Sequence, residues 1–245
     1  MTVPEASRFF FVHLQKTGGT ALFQRIRDFF GPAAVYPTPD DQGDVRAVTD
    51  VDYLSTRFRA VGDELRVVTG HFPLCTADLL DPQLRTFTVL RDPVERTLSL
   101  LRRRRIAETR FHGMELAEIY EHPALQDIIR NHMVKMLSLT QDEMTATPLT
   151  MAMTFDRARI DRAKRNLEQV EVVGLQEQFE GFCQDLEQRF GWDLGPSRFA
   201  NRTPPSTVPE SLRERIRADN EADVELYRFA VELHEERRRR VSHNG

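Results

Sequence analysis

The stretch R-F-F-F-V-H-L-Q-K-T-G-G-T-A-L, residues 8–22, sets the fold. Its first half, Arg8 to Leu14, is aromatic and β-branched without polar alternation, the pattern of a strand buried on both faces. Thr20 to Phe30 then takes helical spacing, and Gly31-Pro32 closes it. Strand, tight glycine loop and helix form an opening β-α unit. Between them stand Lys16, Thr17, Gly18, Gly19 and Thr20. Adjacent glycines let backbone N–H groups converge, a helix N-terminus adds partial positive charge, and a lysine with hydroxyls completes an anion cage. In a nucleoside triphosphatase the lysine follows the glycines, whereas Lys16 precedes them, which argues against a Walker-type ATPase.

Apolar runs recur at Leu65–Thr69, Thr86–Leu90 and Val170–Leu175, each followed by loop residues and helical patterning. Pro93–Leu139 reads as mostly helical, and Gln176–Phe190 and Pro209–Glu236 read as amphipathic helices. The expected architecture is therefore α/β with three layers, a central parallel sheet of about four or five strands flanked by helices. Ligands belong beyond the carboxyl ends of such strands. One domain over 1–245 is expected from the length. Asn201–Pro209 is too rich in proline for regular structure and reads as a linker or a loop over the site; 237–245 reads as a frayed basic tail.

Charged residues make up 29% and hydrophobic ones 40%, an ordinary globular composition that excludes disordered and fibrous classes. The formal net charge of −4 offers no general attraction to nucleic acid or anionic lipid, so an anion site has to be local. No apolar run reaches the roughly 18 residues of a membrane helix and no signal-like segment opens the chain, so a cytoplasmic protein is expected. Cys75 and Cys183, far apart, form neither a disulfide framework nor a zinc motif and read as buried apolar side chains. No metal is expected.

A second anion segment is T-F-T-V-L-R-D-P-V-E-R-T-L-S-L-L, residues 86–101. Arg91 leaves a strand end, Pro93 opens a helix, and Ser99 lies about two turns on, where guanidinium and hydroxyl can share one phosphate. Asp92 is placed to cap that helix and Glu95 to close a capping box.

The two segments together resemble PAPS-dependent sulfotransferases, enzymes that use 3′-phosphoadenosine-5′-phosphosulfate. H-L-Q-K-T-G-G-T-A-L is similar to their 5′-phosphosulfate loop, and L-R-D-P-V-E-R-T-L-S to their 3′-phosphate segment. The first loop is most similar to that of heparan sulfate 6-O-sulfotransferases and related carbohydrate enzymes, which carry a histidine and a glutamine where His13 and Gln15 stand. Weaker similarity extends to N-H-M-V-K-M-L (131–137) and V-G-L-Q-E-Q-F (173–179). The resemblance implies a P-loop-like sulfotransferase fold. It also implies that Lys16, Thr17, Gly18, Gly19 and Thr20 hold the 5′-phosphosulfate while Arg91 and Ser99 hold the 3′-phosphate. Arg102–Arg105 depart from the aromatic residues of carbohydrate members, and Met133 replaces a frequent glutamine, so the acceptor stays open: a carbohydrate, glycolipid or small metabolite, with PAP released.

Sulfuryl transfer requires stabilisation of charge on the leaving oxygen and a base near the acceptor hydroxyl, with positioning and electrostatics dominant as in phosphoryl transfer. Lys16 suits the first role. His71, in R-V-V-T-G-H-F-P after the second strand candidate, suits the second, with His13 as the competing base. Related carbohydrate sulfotransferases carry a proposed catalytic histidine in a comparable loop. His112, His122 and His132 lie in helical, charged surroundings and read as facing solvent or structure; His234 and His243 lie near the tail. His13, Asn131 and Lys135 are candidates for the acceptor cleft, though an amphipathic helix equally accounts for the last two. Two other readings stay open: a P-loop-like nucleotide-dependent kinase, and a non-catalytic PAP- or PAPS-binding module.

Overall fold

A computed structural model describes residues 7–196 and 208–243. In chain order the elements are β1 (Phe9–Val12), α1 (Gly19–Phe30), β2 (Val35–Tyr36), α2 (Arg46–Thr49), α3 (Val51–Val61), β3 (Val67–Gly70), α4 (Cys75–Leu80) and β4 (Arg85–Leu90). There follow α5 (Pro93–Ala107), α6 (Leu116–Tyr120), α7 (Pro123–Ile129), α8 (His132–Ser138), α9 (Arg157–Gln169), β5 (Val172–Leu175), α10 (Phe179–Phe190), α11 (Glu210–Asp219) and α12 (Glu221–His243). The five strands form one sheet in the order β2-β3-β1-β4-β5, every pairing parallel. This is the α/β sheet flanked by helices that the sequence pattern predicts.

Strand alternation divides the core. Phe9, Phe11, Val35, Val67, Phe87 and Val89 face Leu22 and Ile26 of α1 and Phe182, Leu186 and Phe190 of α10. Phe10, Val12, Tyr36, Val68, Val173 and Leu175 face the opposite layer, where α3, α8, α9 and α12 supply Leu54, Met133, Leu137, Leu167, Leu226 and Ala230. A satellite cluster joins α5, α6, α7 and α11 through Leu98, Leu101, Ile119, Ile129 and Ile216. Apolar faces of this kind contribute about 25 cal/mol per Å² removed from water, which makes packing the chief term holding the three layers together.

Register lines up the strand ends. Val12 stands beside both Gly70 and Thr88, and Leu90 beside Leu175, so His13, His71, Arg91 and Gln176 all emerge at one end of the sheet. Chain connections leave β1 towards β2 and β4 towards β5, in opposite directions, which opens a crevice between those two neighbours.

Several expectations need correction. The basic run 237–245 is not a frayed tail over its described part: α12 continues to His243, and Arg237 donates from Nη1 to the Val170 carbonyl at 2.8 Å and from Nη2 to the Glu168 carbonyl at 2.8 Å. His234 is buried, its Nδ1 3.0 Å from the Val173 carbonyl. Glu95 closes no capping box. Asp92 Oδ1 alone accepts the N–H groups of Val94 and Glu95, both at 3.0 Å, while the Glu95 carboxylate pairs with Arg213 at 2.7 Å. Cys183 is buried as expected, but Cys75 is only half-buried, with Sγ 3.9 Å from Met144 Sδ. The 201–209 segment lies outside the described residues up to 207. Among the described residues no helix is long and apolar enough to cross a membrane.

Candidate functional site

Two left-handed residues shape the loop after β1: Lys16 at φ 69 and Gly18 at φ 92. For a lysine this conformation costs on the order of 1–3 kcal/mol, strain that persists only where the surroundings impose it. Its result is a sharp turn delivering the chain into α1. That helix starts with no side-chain cap on its first amides and no acidic residue in its first turn. Its orphan N–H groups and positive dipole end are thus available to an anion. Thr17 differs from the expectation: it is fully buried, and its hydroxyl donates to the Leu14 carbonyl at 2.8 Å, stapling the turn from within. Only its main chain can serve a ligand. Thr20 is exposed at the start of α1.

Gly19 has a different constraint. The His13 ring lies flat against it, and a Cβ built there would stand 1.8 Å from His13 Nε2. His13 cannot easily retreat, being stacked on Phe11 at 5.2 Å and packed against the His71 ring at 4.5 Å. Gly19→Ala is therefore expected to displace His13 and the first turn of α1 together. Affinity of the turn for an anion such as inorganic sulfate should fall by at least tenfold, read by calorimetry; unchanged affinity would show the contact to be dispensable.

Arg91 arrives at this loop from β4. Its Nη1 donates to the Lys16 carbonyl at 3.1 Å, while its Nε is buried with no partner among the described residues. Burial lowers the Arg91 pKa, against the opposing effects of Glu177 and Glu95. Glu177, just after β5, accepts the Asp92 N–H at 3.3 Å and the Tyr227 hydroxyl at 2.8 Å, closing that side of the crevice. Ser99 is half-buried on α5. Lys16 is half-exposed; burial, then Arg103 and Arg91, lower the pKa of its ammonium. Arg103, exposed one helical turn beyond Ser99, thus belongs to the same positive field, a member that the sequence left within a basic run.

On the other flank stands His71. Its backbone N–H donates to the Val48 carbonyl at 2.8 Å, and its Nδ1 lies 3.0 Å from the His13 carbonyl. A carbonyl can only accept, so Nδ1 carries the proton and Nε2 keeps its lone pair. Burial lowers the His71 pKa, and Lys16 adds to the effect while the bond to the His13 carbonyl opposes it. His13 is held well below the usual histidine value by burial, His71 and Lys16. Both rings favour the neutral form, and His71 presents a free basic nitrogen.

Asn131 and Lys135 do not line a cleft. The Lys135 ammonium is buried among the carbonyls of Asp127, Leu149 at 3.3 Å and Met151 at 2.7 Å, and burial brings its pKa down to about 8. Asn131 exchanges bonds with the α11–α12 junction and the first turn of α12: its N–H donates to Asn220 Oδ1 at 2.8 Å, and its Oδ1 accepts the Asp223 N–H at 3.1 Å. Both residues fasten α7, α8 and α12 to one another. His132, by contrast, is buried directly beneath the loop, with Nε2 accepting the Gln15 N–H at 3.1 Å. No spacing in the sequence connects residues so far apart.

No family model matches the chain, and no curated protein matches it. Among solved structures, a sulfotransferase from Alicyclobacillus acidocaldarius is similar over 93% of this chain and 96% of its own, at 19% identity and a TM-score of 0.49.

Proposed function

We propose that the chain is a sulfotransferase that moves the sulfuryl group of PAPS to a hydroxyl of a carbohydrate, glycolipid or small-metabolite acceptor and releases PAP. One observation carries the reading. The Arg91 guanidinium bonds the Lys16 carbonyl at 3.1 Å, which joins the two anion-binding segments into one cradle across neighbouring strand ends. A nucleotide with anionic groups on both its 5′ and 3′ positions suits such a cradle. The uncapped N-terminus of α1 would take one group, and the Arg91 guanidinium the other.

The residues then divide the work. Lys16 faces the oxygen that bridges sulfur to phosphate; as the S–O bond breaks, the electron pair collects there, and an ammonium crowded by Arg103 and Arg91 gains most from that negative charge. Amides of Gly18, Gly19 and Thr20 are aimed at the same end. The acceptor hydroxyl forms the new O–S bond and its proton passes to Nε2 of His71, whose orientation the His13 carbonyl fixes. His13 serves as a wall, covering Gly19 and supplying that carbonyl. No step calls for a metal, which separates the scheme from magnesium-dependent kinase chemistry.

Nucleotide choice tests the proposal. At a hundredfold excess over its dissociation constant, PAP should stabilise the protein by about 2.7 kcal/mol. That corresponds to a rise in Tm of roughly 5–10 °C for a chain of this size. Mg-ATP should give no comparable rise. Stabilisation by Mg-ATP in place of PAP would point to a kinase, and PAP binding without sulfate transfer from labelled PAPS to any acceptor pool would point to a binding module.

A further inference from the structure

His132 has no part in the scheme above, yet it touches the loop more directly than most residues that do. It is the first residue of α8, wholly buried, and its Nε2 accepts the main-chain N–H of Gln15 at 3.1 Å. Gln15 precedes Lys16, where the backbone turns left-handed at φ 69. The imidazole therefore grips the chain at the last residue before the turn that forms the anion cage. Its own mounting is firm. Asp223 of α12 accepts the Met133 N–H at 3.1 Å and the Val134 N–H at 2.8 Å, holding the first turn of α8 in place.

The pattern of satisfied and unsatisfied atoms is informative. Accepting through Nε2 leaves the ring proton on Nδ1, and Nδ1 is buried with no partner among the described residues, as is Gln15 Oε1. An orphaned buried donor is unfavourable, and a leucine of similar volume would avoid it. The fold instead keeps a ring whose one satisfied nitrogen points at the loop. Burial, with Arg96 and Lys135 nearby, keeps that ring neutral and able to accept.

We propose that His132 is a positioning residue for the donor site: by holding the Gln15 N–H it keeps Lys16 and the amides of Gly18, Gly19 and Thr20 convergent before the nucleotide arrives. The proposal rests on the loop being that donor site. His132→Gln carries an acceptor oxygen to about the place of Nε2; His132→Leu fills the space without one; in His132→Asn the amide stops short. Each variant would be checked for cooperative melting, then measured for PAP affinity by calorimetry and for amide hydrogen exchange across residues 9–20.

The Leu and Asn variants are expected to raise the PAP dissociation constant on the order of tenfold, equivalent to about 1.4 kcal/mol. They should also accelerate exchange in that segment, while the Gln variant stays near the wild type in both. A folded Leu or Asn variant with wild-type affinity and exchange overturns the proposal, as does a Gln variant impaired as much as the others. Should the Leu variant not fold, the contrast between Gln and Asn decides in the same way. Failure of the wild-type protein itself to bind PAP would count against the donor-site reading, and the exchange contrast would still decide whether His132 holds the loop.

Discussion

Under the proposed function, replacing Lys16 with alanine is expected to lower kcat for sulfuryl transfer by on the order of a thousandfold, the size expected when a preorganised electrostatic group is taken from a developing charge. The Lys16 main chain is held at φ 69 with its carbonyl bonded by Arg91, so the loop keeps its outline when the side chain is shortened. Tm should therefore change little. Because the interaction strengthens as charge builds on the leaving oxygen, kcat falls more than PAP affinity. Arg91→Ala should behave differently, losing nucleotide affinity first, since the guanidinium meets the ligand in ground state and transition state alike. Steady-state kinetics with PAP calorimetry separates the two variants. Near-normal PAP affinity in both, together with undiminished turnover, would remove the site from this crevice.

His71→Ala shares the kcat signature of Lys16→Ala and is the opposite of Arg91→Ala. PAP affinity is retained and turnover drops by roughly 10²–10⁴-fold, the usual contribution of a positioned base. The pH profile adds a second readout. Only neutral His71 can take a proton, and burial with Lys16 nearby puts its pKa below the ordinary value of 6.5. The wild-type rate should hold as pH falls past 6.5 and decline at the lower, shifted pKa; in the alanine variant that acid limb should vanish. Stability follows the same sign. The unfolded chain takes up the proton first, so His71 contributes a loss of stability that begins as pH drops through 6.5 and is complete below the folded-state pKa. Full activity in the variant eliminates His71 as the base and leaves His13.

How much of this could be read beforehand depended on whether the signal was local. Phe9–Val12 and the paired glycines lie within a dozen residues, and Arg91-Asp92-Pro93 marks a strand end and a helix start in three; both units stand where expected. Val35–Tyr36 is too short for any periodicity, so β2 left no trace. The helices α2, α3 and α9 fell in segments with no assignment, their apolar faces interrupted by charge. Side-chain direction was the other blind spot. Thr17 reads as a ligand-facing hydroxyl but turns inward to Leu14, and Lys135 reads as a cleft residue but is enclosed by three carbonyls. His132 and Glu177 reach the site only because β1, β4, β5 and α8 are brought together by the sheet and its covering layer, a relation between distant parts of the chain that no window of sequence contains.

The way α12 lies along β5 bears on association between copies of the molecule. A parallel sheet ends in two rows of unpaired backbone groups, each an invitation to strand addition. Here His234 of α12 bonds the Val173 carbonyl of β5, Arg237 bonds the Val170 and Glu168 carbonyls where α9 ends, and on the other side the outermost strand is the two-residue β2. Two residues make a short template for cross-chain pairing, and on the β5 side α12 already engages a strand carbonyl. Both features disfavour extension of the sheet by a strand from a second copy.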